Sequence, residues 1–200
     1  MESQVLLRCE CGKLHGSAGG LAPTKGARVV CYSNVSQAFA RFLGRSGITD
    51  PWGGTDIFQM APSNVRLEQQ DEALQCLRLS DKGMFRWYCR FCKTPVGNTM
   101  GPRLPVVGLI HSIMDHQSSN VTRDALLGRP IGFLQMRSAT GVGPPPSPGA
   151  SLFRSAARSS RLLLTWWVTR AGFPSPFFDE HTRAPRATPR VLSEQERRAL

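Results

Sequence analysis

Four cysteines in two closely spaced pairs are the residues of this sequence best suited to chemistry. One residue separates Cys9 from Cys11 near the N-terminus, and two residues separate Cys89 from Cys92 much later in the chain. Four Cys thiolates complete the tetrahedral coordination of a structural zinc ion. The spacing therefore predicts one structural zinc, held by two turns that are distant in sequence.

Two other interpretations of the cysteine pairs stay open. In compact zinc ribbons only about 15 to 20 residues divide the pairs, whereas here most of a domain lies between them. The pairs could be unrelated, or Cys89 and Cys92 could form a redox-active CxxC motif, although the βαβ context of such a motif is missing. A zinc ion would close a long loop, whose ordering otherwise costs conformational entropy.

The segments around the cysteines predict a mainly β domain over residues 1–137, with largely antiparallel strands. A short helix follows the third strand, with Ser33 or Asn34 as its cap and Gly44 as its end. Strand-like patterns cover residues 5–9, 13–17, 27–32, 55–60, 65–68, 73–79, 84–89, 96–100, 106–111 and 131–136.

The C-terminal third has a different composition. Residues 138–150 are rich in Pro and Gly and predict a linker. Apolar residues then recur every three or four positions over 151–172, which indicates an amphipathic helix. Residues 173–200 are rich in Pro and Arg and predict an irregular tail, with at most one capped turn at Ser193.

The formal charge of +11 bears on partners. A basic surface attracts nucleic acid, anionic lipid or acidic ligands, but a solvated Arg-rich surface explains the same charge. The basic amphipathic helix could contact its own domain, a membrane surface or another partner. No apolar run reaches the roughly 18 residues of a transmembrane segment, and the N-terminus lacks a signal-peptide pattern, so we expect a cytoplasmic protein.

A fifth cysteine, Cys31, lies where the third strand gives way to the helix. The N-terminus of a helix favours a thiolate or another anion. A single Cys at such a junction can equally be a packed small apolar residue.

Together these features resemble the glutathione-dependent formaldehyde-activating enzyme (GFA) family, also called the centromere protein V domain family. The CxCG, CxCxxC and CxxC motifs of that family correspond in order and spacing to residues 9–12, 31–36 and 89–92. Further similarity to an uncharacterised bacterial branch of the family lies in residues 37–39, 53–59, 86–88, 94–99 and 176–179.

The resemblance implies a β-tent fold in which Cys9, Cys11, Cys89 and Cys92 hold the structural zinc. In the enzymes of the family the middle motif holds a second, catalytic zinc through three thiolates and leaves one coordination position open. This sequence departs from that motif, because Ser33 and Ser36 replace two of the three cysteines. A neutral hydroxyl is a far poorer zinc ligand than a thiolate.

Three outcomes follow for the middle motif. The second zinc could be lost, which is the outcome we favour, or Cys31 could bind a metal together with His15, His111 or His116. A weak site of Cys31 with water and a substrate thiol is the third. The resemblance makes Cys31 the catalytic candidate, and the substrate-binding candidates are Ser33, Ser36, Gln37, Trp52, Gly53 and Gly54.

These considerations give two hypotheses for function. The first is a zinc-binding relative of carbon–sulfur lyases that acts on, or only binds, a thiol adduct such as a glutathione conjugate. The second is a zinc-stabilised binding module whose basic tail engages an anionic partner, either nucleic acid or a membrane surface.

Overall fold

The computed structural model describes residues 3–68, 70–115, 122–142 and 152–200, and its fold is mainly β. This confirms the predicted fold class at that level. The strands are β1 (Ser3–Arg8), β2 (His15–Leu21), β3 (Ala27–Cys31), β4 (Thr55–Met60), β5 (Val65–Glu68), β6 (Leu74–Arg78), β7 (Phe85–Cys89), β8 (Pro95–Thr99), β9 (Val107–Ile110), β10 (Met114–Asp115), β11 (Gly132–Leu134) and β12 (Arg190–Val191). The α-helices are α1 (Asn34–Phe42), α2 (Gln70–Ala73), α3 (Arg123–Leu127), α4 (Leu152–Val168) and α5 (Glu194–Arg198).

The strands form two sheets. The smaller sheet has the order β10-β1-β2-β5, and the larger has the order β11-β3-β4-β9-β8-β7-β6-β12. Pairing is antiparallel except at the two edges of the larger sheet, where β11 pairs with β3 and β12 with β6 in parallel. Both edge strands are two or three residues long and join no hairpin, so no turn signal in the sequence predicts their direction.

The larger sheet buries different residues on its two faces because side chains alternate along a strand. In β7, Trp87 packs in the core that includes residues of the smaller sheet, such as Leu7. The next residue, Tyr88, packs instead in a second core with Phe39 of α1. The smaller sheet therefore covers one face of the larger sheet, and α1 covers the other.

The C-terminal tail packs into this fold, although its secondary structure is largely irregular, in agreement with the prediction, apart from the two-residue β12 and the capped α5. Phe177 is fully buried, with its ring centroid 5.3 Å from that of Trp87. Ser193 caps α5 through a capping box with Glu196, and β12 extends the larger sheet. Phe177 and its neighbour Phe178 stand beside prolines and do not form the periodic pattern of a helix or a strand. No pattern in the sequence therefore indicated that they pack in the core.

Helix α4 contacts its own domain with one side. Leu162 and Trp166 are buried against Ala27, and Arg158 donates from Nη2 to the carbonyl oxygen of Gly26 at 2.8 Å. The helix ends at Val168 rather than at the predicted residue 172. In the described ranges, no helix combines the length and apolar character that a membrane crossing requires.

The predicted linker falls largely outside the described residues, which omit 143–151. The boundaries 1–137, 138–150, 151–172 and 173–200 therefore stay predictions as domain divisions. A role of the basic tail in binding an anionic partner likewise stays a prediction, which the contacts of α4 do not test.

Phe177→Ala should lower the free energy of unfolding by about 3 to 5 kcal/mol, the usual cost of removing a fully buried aromatic ring. Urea denaturation followed by circular dichroism measures this change. The control is Trp167→Ala, whose side chain is 65% exposed and whose replacement should cost no more than about 0.5 kcal/mol. Equal costs for the two variants would contradict the packing of the tail.

Candidate metal centre

Each predicted cysteine pair lies in the turn of a β-hairpin. Cys9 follows β1, and Gly12 reverses the chain with a φ of +73°. Cys89 ends β7, and its N–H donates across the turn to the carbonyl oxygen of Thr94 at 2.8 Å. Lys93 takes the left-handed conformation in this second turn, with a φ of +61°. The β1–β2 turn belongs to the smaller sheet and the β7–β8 turn to the larger one, so the two sheets meet at the cysteines.

The four sulfurs are close enough to hold one ion. The Sγ atoms of Cys9, Cys11, Cys89 and Cys92 all lie within 4.8 Å of one another. The Cys9–Cys11 distance is 3.5 Å and the Cys11–Cys89 distance is 3.8 Å. Zn–S bonds of about 2.3 Å in a tetrahedron place the sulfurs about 3.8 Å apart. The cluster fits a tetrahedral metal ion, and the interpretation as two unrelated thiol pairs is wrong.

Backbone N–H groups point at the two buried sulfurs. Leu14 donates to Sγ of Cys9 at 3.2 Å, and the N–H of Phe91 donates to Sγ of Cys89. Such bonds stabilise a thiolate. Burial nevertheless raises the pKa of Cys9, and it raises the pKa of Cys89 to about 12. Thiolates at these positions therefore need a cation beside them, which a bound metal supplies.

Thr94 connects the two turns. Its Oγ1 lies 3.2 Å from Sγ of Cys92 and accepts a bond of 3.2 Å from the N–H of Glu10 in the other turn. Burial opposes ionisation of Cys92, but the bonds from the Thr94 hydroxyl and the N–H of Cys11 outweigh it and lower the pKa of Cys92 to about 6. Cys92 is thus more easily ionised than an ordinary cysteine.

Arg45 is a residue of this site that the sequence analysis did not identify. It follows α1 and donates from Nη2 to Oε2 of Glu10 at 2.8 Å and from Nε to the carbonyl oxygen of Cys92 at 3.1 Å. One guanidinium therefore bonds to both turns and offsets the negative charge of a thiolate cluster. Nothing in the spacing of the 25 basic residues distinguishes Arg45.

The middle motif forms a separate group at the β3–α1 junction. The Cys31 thiol donates to Oγ of Ser33 at 3.4 Å, Ser33 donates to Oγ of Ser36 at 3.0 Å, and Ser36 donates back to Sγ of Cys31 at 3.5 Å. Ser33 is also the cap of α1, since its Oγ accepts from the N–H of Ser36 at 3.1 Å. The three side chains thus converge as three ligands would, but each of their hydrogen bonds is made within the group, which we call the junction triad.

The junction triad borders a cavity of about 700 Å³ on the α1 face of the larger sheet. Residues of β3, β4, β9, β8 and β7 form its floor, and the beginning of α1 forms part of its wall. Arg86 and Asn98 are polar residues of the otherwise mostly apolar floor. We call this space the sheet cavity.

The other predicted substrate-binding residues do not line the sheet cavity. Gln37 donates to the carbonyl oxygens of Tyr32 and Ser138 at 2.9 and 2.7 Å, which fixes α1 to the chain around it. Gln37 and Gly53 border a second cavity of about 390 Å³. Trp52 packs beside the buried group of Val30, Tyr32 and Phe133. Gly54 is held by its N–H bond to Asp50.

The histidines do not complete a second metal site in the part of the chain that the structure describes. His15 bonds through Nε2 to Glu68 at 3.0 Å on the smaller sheet, and His111 follows β9. Across the described residues, the four-cysteine cluster is the sole convergence of three or more His, Cys, Asp or Glu ligand atoms. His116 lies outside the described residues.

The sequence model of a family of unknown function, DUF6151, matches residues 1–162. The chain belongs to this family. A search of curated proteins finds no match. The matched region of this DUF6151 protein contains the four-cysteine cluster, the junction triad and the floor of the sheet cavity, but not the tail that carries Phe177.

Cys89→Ser should unfold the DUF6151 protein and abolish its metal content. A structural zinc supplies about 10 kcal/mol or more, which is comparable to the whole stability of a domain, about 5 to 15 kcal/mol. Circular dichroism and metal analysis of the purified variant measure both effects. Cys76→Ala is the control, because Cys76 is a fully buried thiol outside the cluster. A folded, metal-free Cys89→Ser protein would show that the cluster is dispensable.

Proposed function

We propose that this protein binds a thiol adduct in the sheet cavity and holds one structural zinc, on a fold related to that of the GFA family. The observation that carries the proposal is the junction triad. Cys31, Ser33 and Ser36 occupy the three ligand positions of the CxCxxC motif and converge to within 3.5 Å of one another on a cavity wall. This convergence supports the proposal that the junction triad corresponds to a three-ligand metal site in which hydroxyls stand where two thiols would be.

The four-cysteine cluster supports a structural role for the first zinc. All four coordination positions are taken by protein sulfurs, which leaves none for a substrate. The cluster lies where the turns of the two sheets meet, so a metal ion there would hold together two turns that are distant in sequence. Thiolate ligands and tetrahedral geometry are typical of zinc among the common divalent metals.

The bonding of the junction triad supports the absence of a second zinc. Hydroxyls are weak zinc ligands, and here each one already donates and accepts within the triad. Binding a metal would break three hydrogen bonds and gain one thiolate ligand. Lyase chemistry of the GFA type needs three protein ligands and an open position, so we propose binding of the adduct rather than its turnover.

The position of Cys31 supports a sulfur-containing ligand. Its thiol is half-buried in the cavity wall, beside the N-terminus of α1, whose free N–H groups favour negative charge. The resemblance of the three cysteine motifs to the GFA family adds the ligand class, a thiol adduct such as a glutathione conjugate. The two sheets joined at one end by the cluster agree with a β-tent arrangement, which we propose on the same grounds.

Metal analysis tests the number of zinc ions. Inductively coupled plasma mass spectrometry should give one zinc per chain for the natural sequence and two for the Ser33→Cys/Ser36→Cys variant, in which three thiolates face each other. Adding Cys31→Ala to that variant should return the content to one. Two zinc ions in the unaltered protein would contradict the loss of the second site.

Ligand binding tests the role of the cavity. Isothermal titration calorimetry should detect S-methylglutathione binding to the zinc-loaded protein, and Cys31→Trp should abolish it by filling the cavity at the junction triad. Cys76→Ala should bind like the unaltered protein, because Cys76 does not line the cavity. No heat with the unaltered protein, or full binding by Cys31→Trp, would refute the proposal.

A further inference from the structure

Arg86 is a buried cation on the floor of the sheet cavity. The residue is 3% exposed and lies in β7, near the centre of the larger sheet. Its Nη1 donates to Oδ1 of Asn98 at 3.1 Å, and its guanidinium lies over the ring of Phe39 at 5.3 Å. A guanidinium has five N–H donors, and within the described residues those of Arg86 reach no carboxylate. A buried charge without a counter-charge is costly, so a structural role alone does not account for Arg86.

Arg28 is a second buried arginine of this protein, and carboxylates balance its charge. Arg28 is 7% exposed, and its Nη2 lies 2.7 Å from Oδ2 of Asp56. Its Nη1 lies 2.5 Å from Oδ1 of Asp124 and donates to the carbonyl oxygen of Gly128 at 2.7 Å. Arg28 has two carboxylates where Arg86 has one neutral amide.

The surroundings of Arg86 favour an anion. Apart from the α-carboxylate of the last residue, Leu200, no acidic group belongs to the described residues that line the sheet cavity, and no ion pair joins that carboxylate to Arg86, whereas Lys82 and Arg197 also line the cavity. The N-terminus of α1 adds positive potential from the wall. Burial lowers the pKa of Arg86 to about 10, which leaves the guanidinium charged at neutral pH.

The chemistry of the floor selects one kind of anion. Because Oδ1 of Asn98 accepts from Arg86, the amide nitrogen of Asn98 is a second donor beside the guanidinium. Planar, two-oxygen groups match such a donor pair, as carboxylates match the guanidinium fork. The rest of the floor is largely apolar, with Val29 and Ile57 among its residues, and it holds no second buried cation for a doubly charged phosphate.

We infer that the sheet cavity binds a small molecule that places one carboxylate against Arg86 and Asn98 and an apolar group against the rest of the floor. The inference rests on the proposed function in one respect, because it places the ligand in the same cavity. A thiol adduct that carries a carboxylate satisfies both, with its sulfur toward Cys31.

Calorimetry with two eight-carbon probes tests the inference on the unaltered, zinc-loaded protein. Octanoate should bind at least tenfold more tightly than octanamide, which has the same length and shape but no charge. Equal affinities, or no binding of octanoate, would overturn the inference. Octyl phosphate binding more tightly than octanoate would overturn the assignment of a carboxylate.

Variants then locate the charge that makes the difference. Arg86→Gln should abolish the preference for octanoate over octanamide, and Arg86→Lys should reduce it, since a lysine keeps the charge but loses the planar fork. Arg66→Gln, the same change on an exposed residue of the smaller sheet, should keep the full preference. Retention of the preference by folded Arg86→Gln protein, or its loss in Lys82→Gln at the cavity mouth, would count against Arg86. Circular dichroism establishes whether each variant is folded. If the Arg86→Gln variant does not fold, the comparison of octanoate with octanamide on the unaltered protein still decides whether the cavity prefers a carboxylate.

S-methylglutathione separates this inference from the proposed function. A protein that binds S-methylglutathione but does not prefer octanoate would refute only the role of Arg86. A protein that prefers octanoate but does not bind S-methylglutathione would refute only the thiol adduct as the ligand.

Discussion

The four-cysteine cluster is the constraint on which the rest of the structure depends, because it is where the two sheets meet. Cys11 and Cys89 are 78 positions apart, yet their sulfurs lie 3.8 Å from each other. Closing so long a loop costs conformational entropy, although this cost grows only slowly with the length of the loop. The free energy of binding a metal ion through thiolates is large enough to offset it. Thr94 and Arg45 add hydrogen bonds between the same two turns. The cysteine cluster and these hydrogen bonds together determine the position of the β1–β2 hairpin relative to the β7–β8 hairpin.

The larger sheet connects this constraint to the sheet cavity. Along its strands, side chains point alternately to the core shared with the smaller sheet and to the cavity beneath α1. Because Cys89 ends β7, its position in the cluster also determines the position of Arg86, three residues earlier on the same strand. The same register places Trp87 in the core, where its Nε1 donates to Thr99 at 2.9 Å. The metal centre and the sheet cavity are therefore on one strand, although they perform different tasks.

Sequence reasoning succeeded where local chemistry decides the structure. Alternating apolar residues and turn residues predicted ten of the strands to within a few residues. The two candidates for the cap of α1, Ser33 and Asn34, included the observed one, Ser33, and cysteine spacing predicted that four thiols converge. Sequence reasoning failed where contacts with residues distant in sequence determine the structure. The parallel edges, the burial of Phe177 and the role of Arg45 each depend on contacts that no local pattern encodes.

Under the proposed relation to the GFA family, the hydroxyls of Ser33 and Ser36 and the lack of a carboxylate partner for Arg86 have a common electrostatic explanation. A zinc ion with three thiolates carries a net charge of −1, and such a site at the junction triad would border the same cavity as Arg86. With Ser33 and Ser36 in place of two thiolates, the triad is a neutral, internally bonded group. The charge of Arg86 is then left for a ligand to balance. The two proposals are therefore linked, because a junction triad without a metal–thiolate site leaves the buried guanidinium of Arg86 without a nearby negative charge, which a carboxylate ligand would supply.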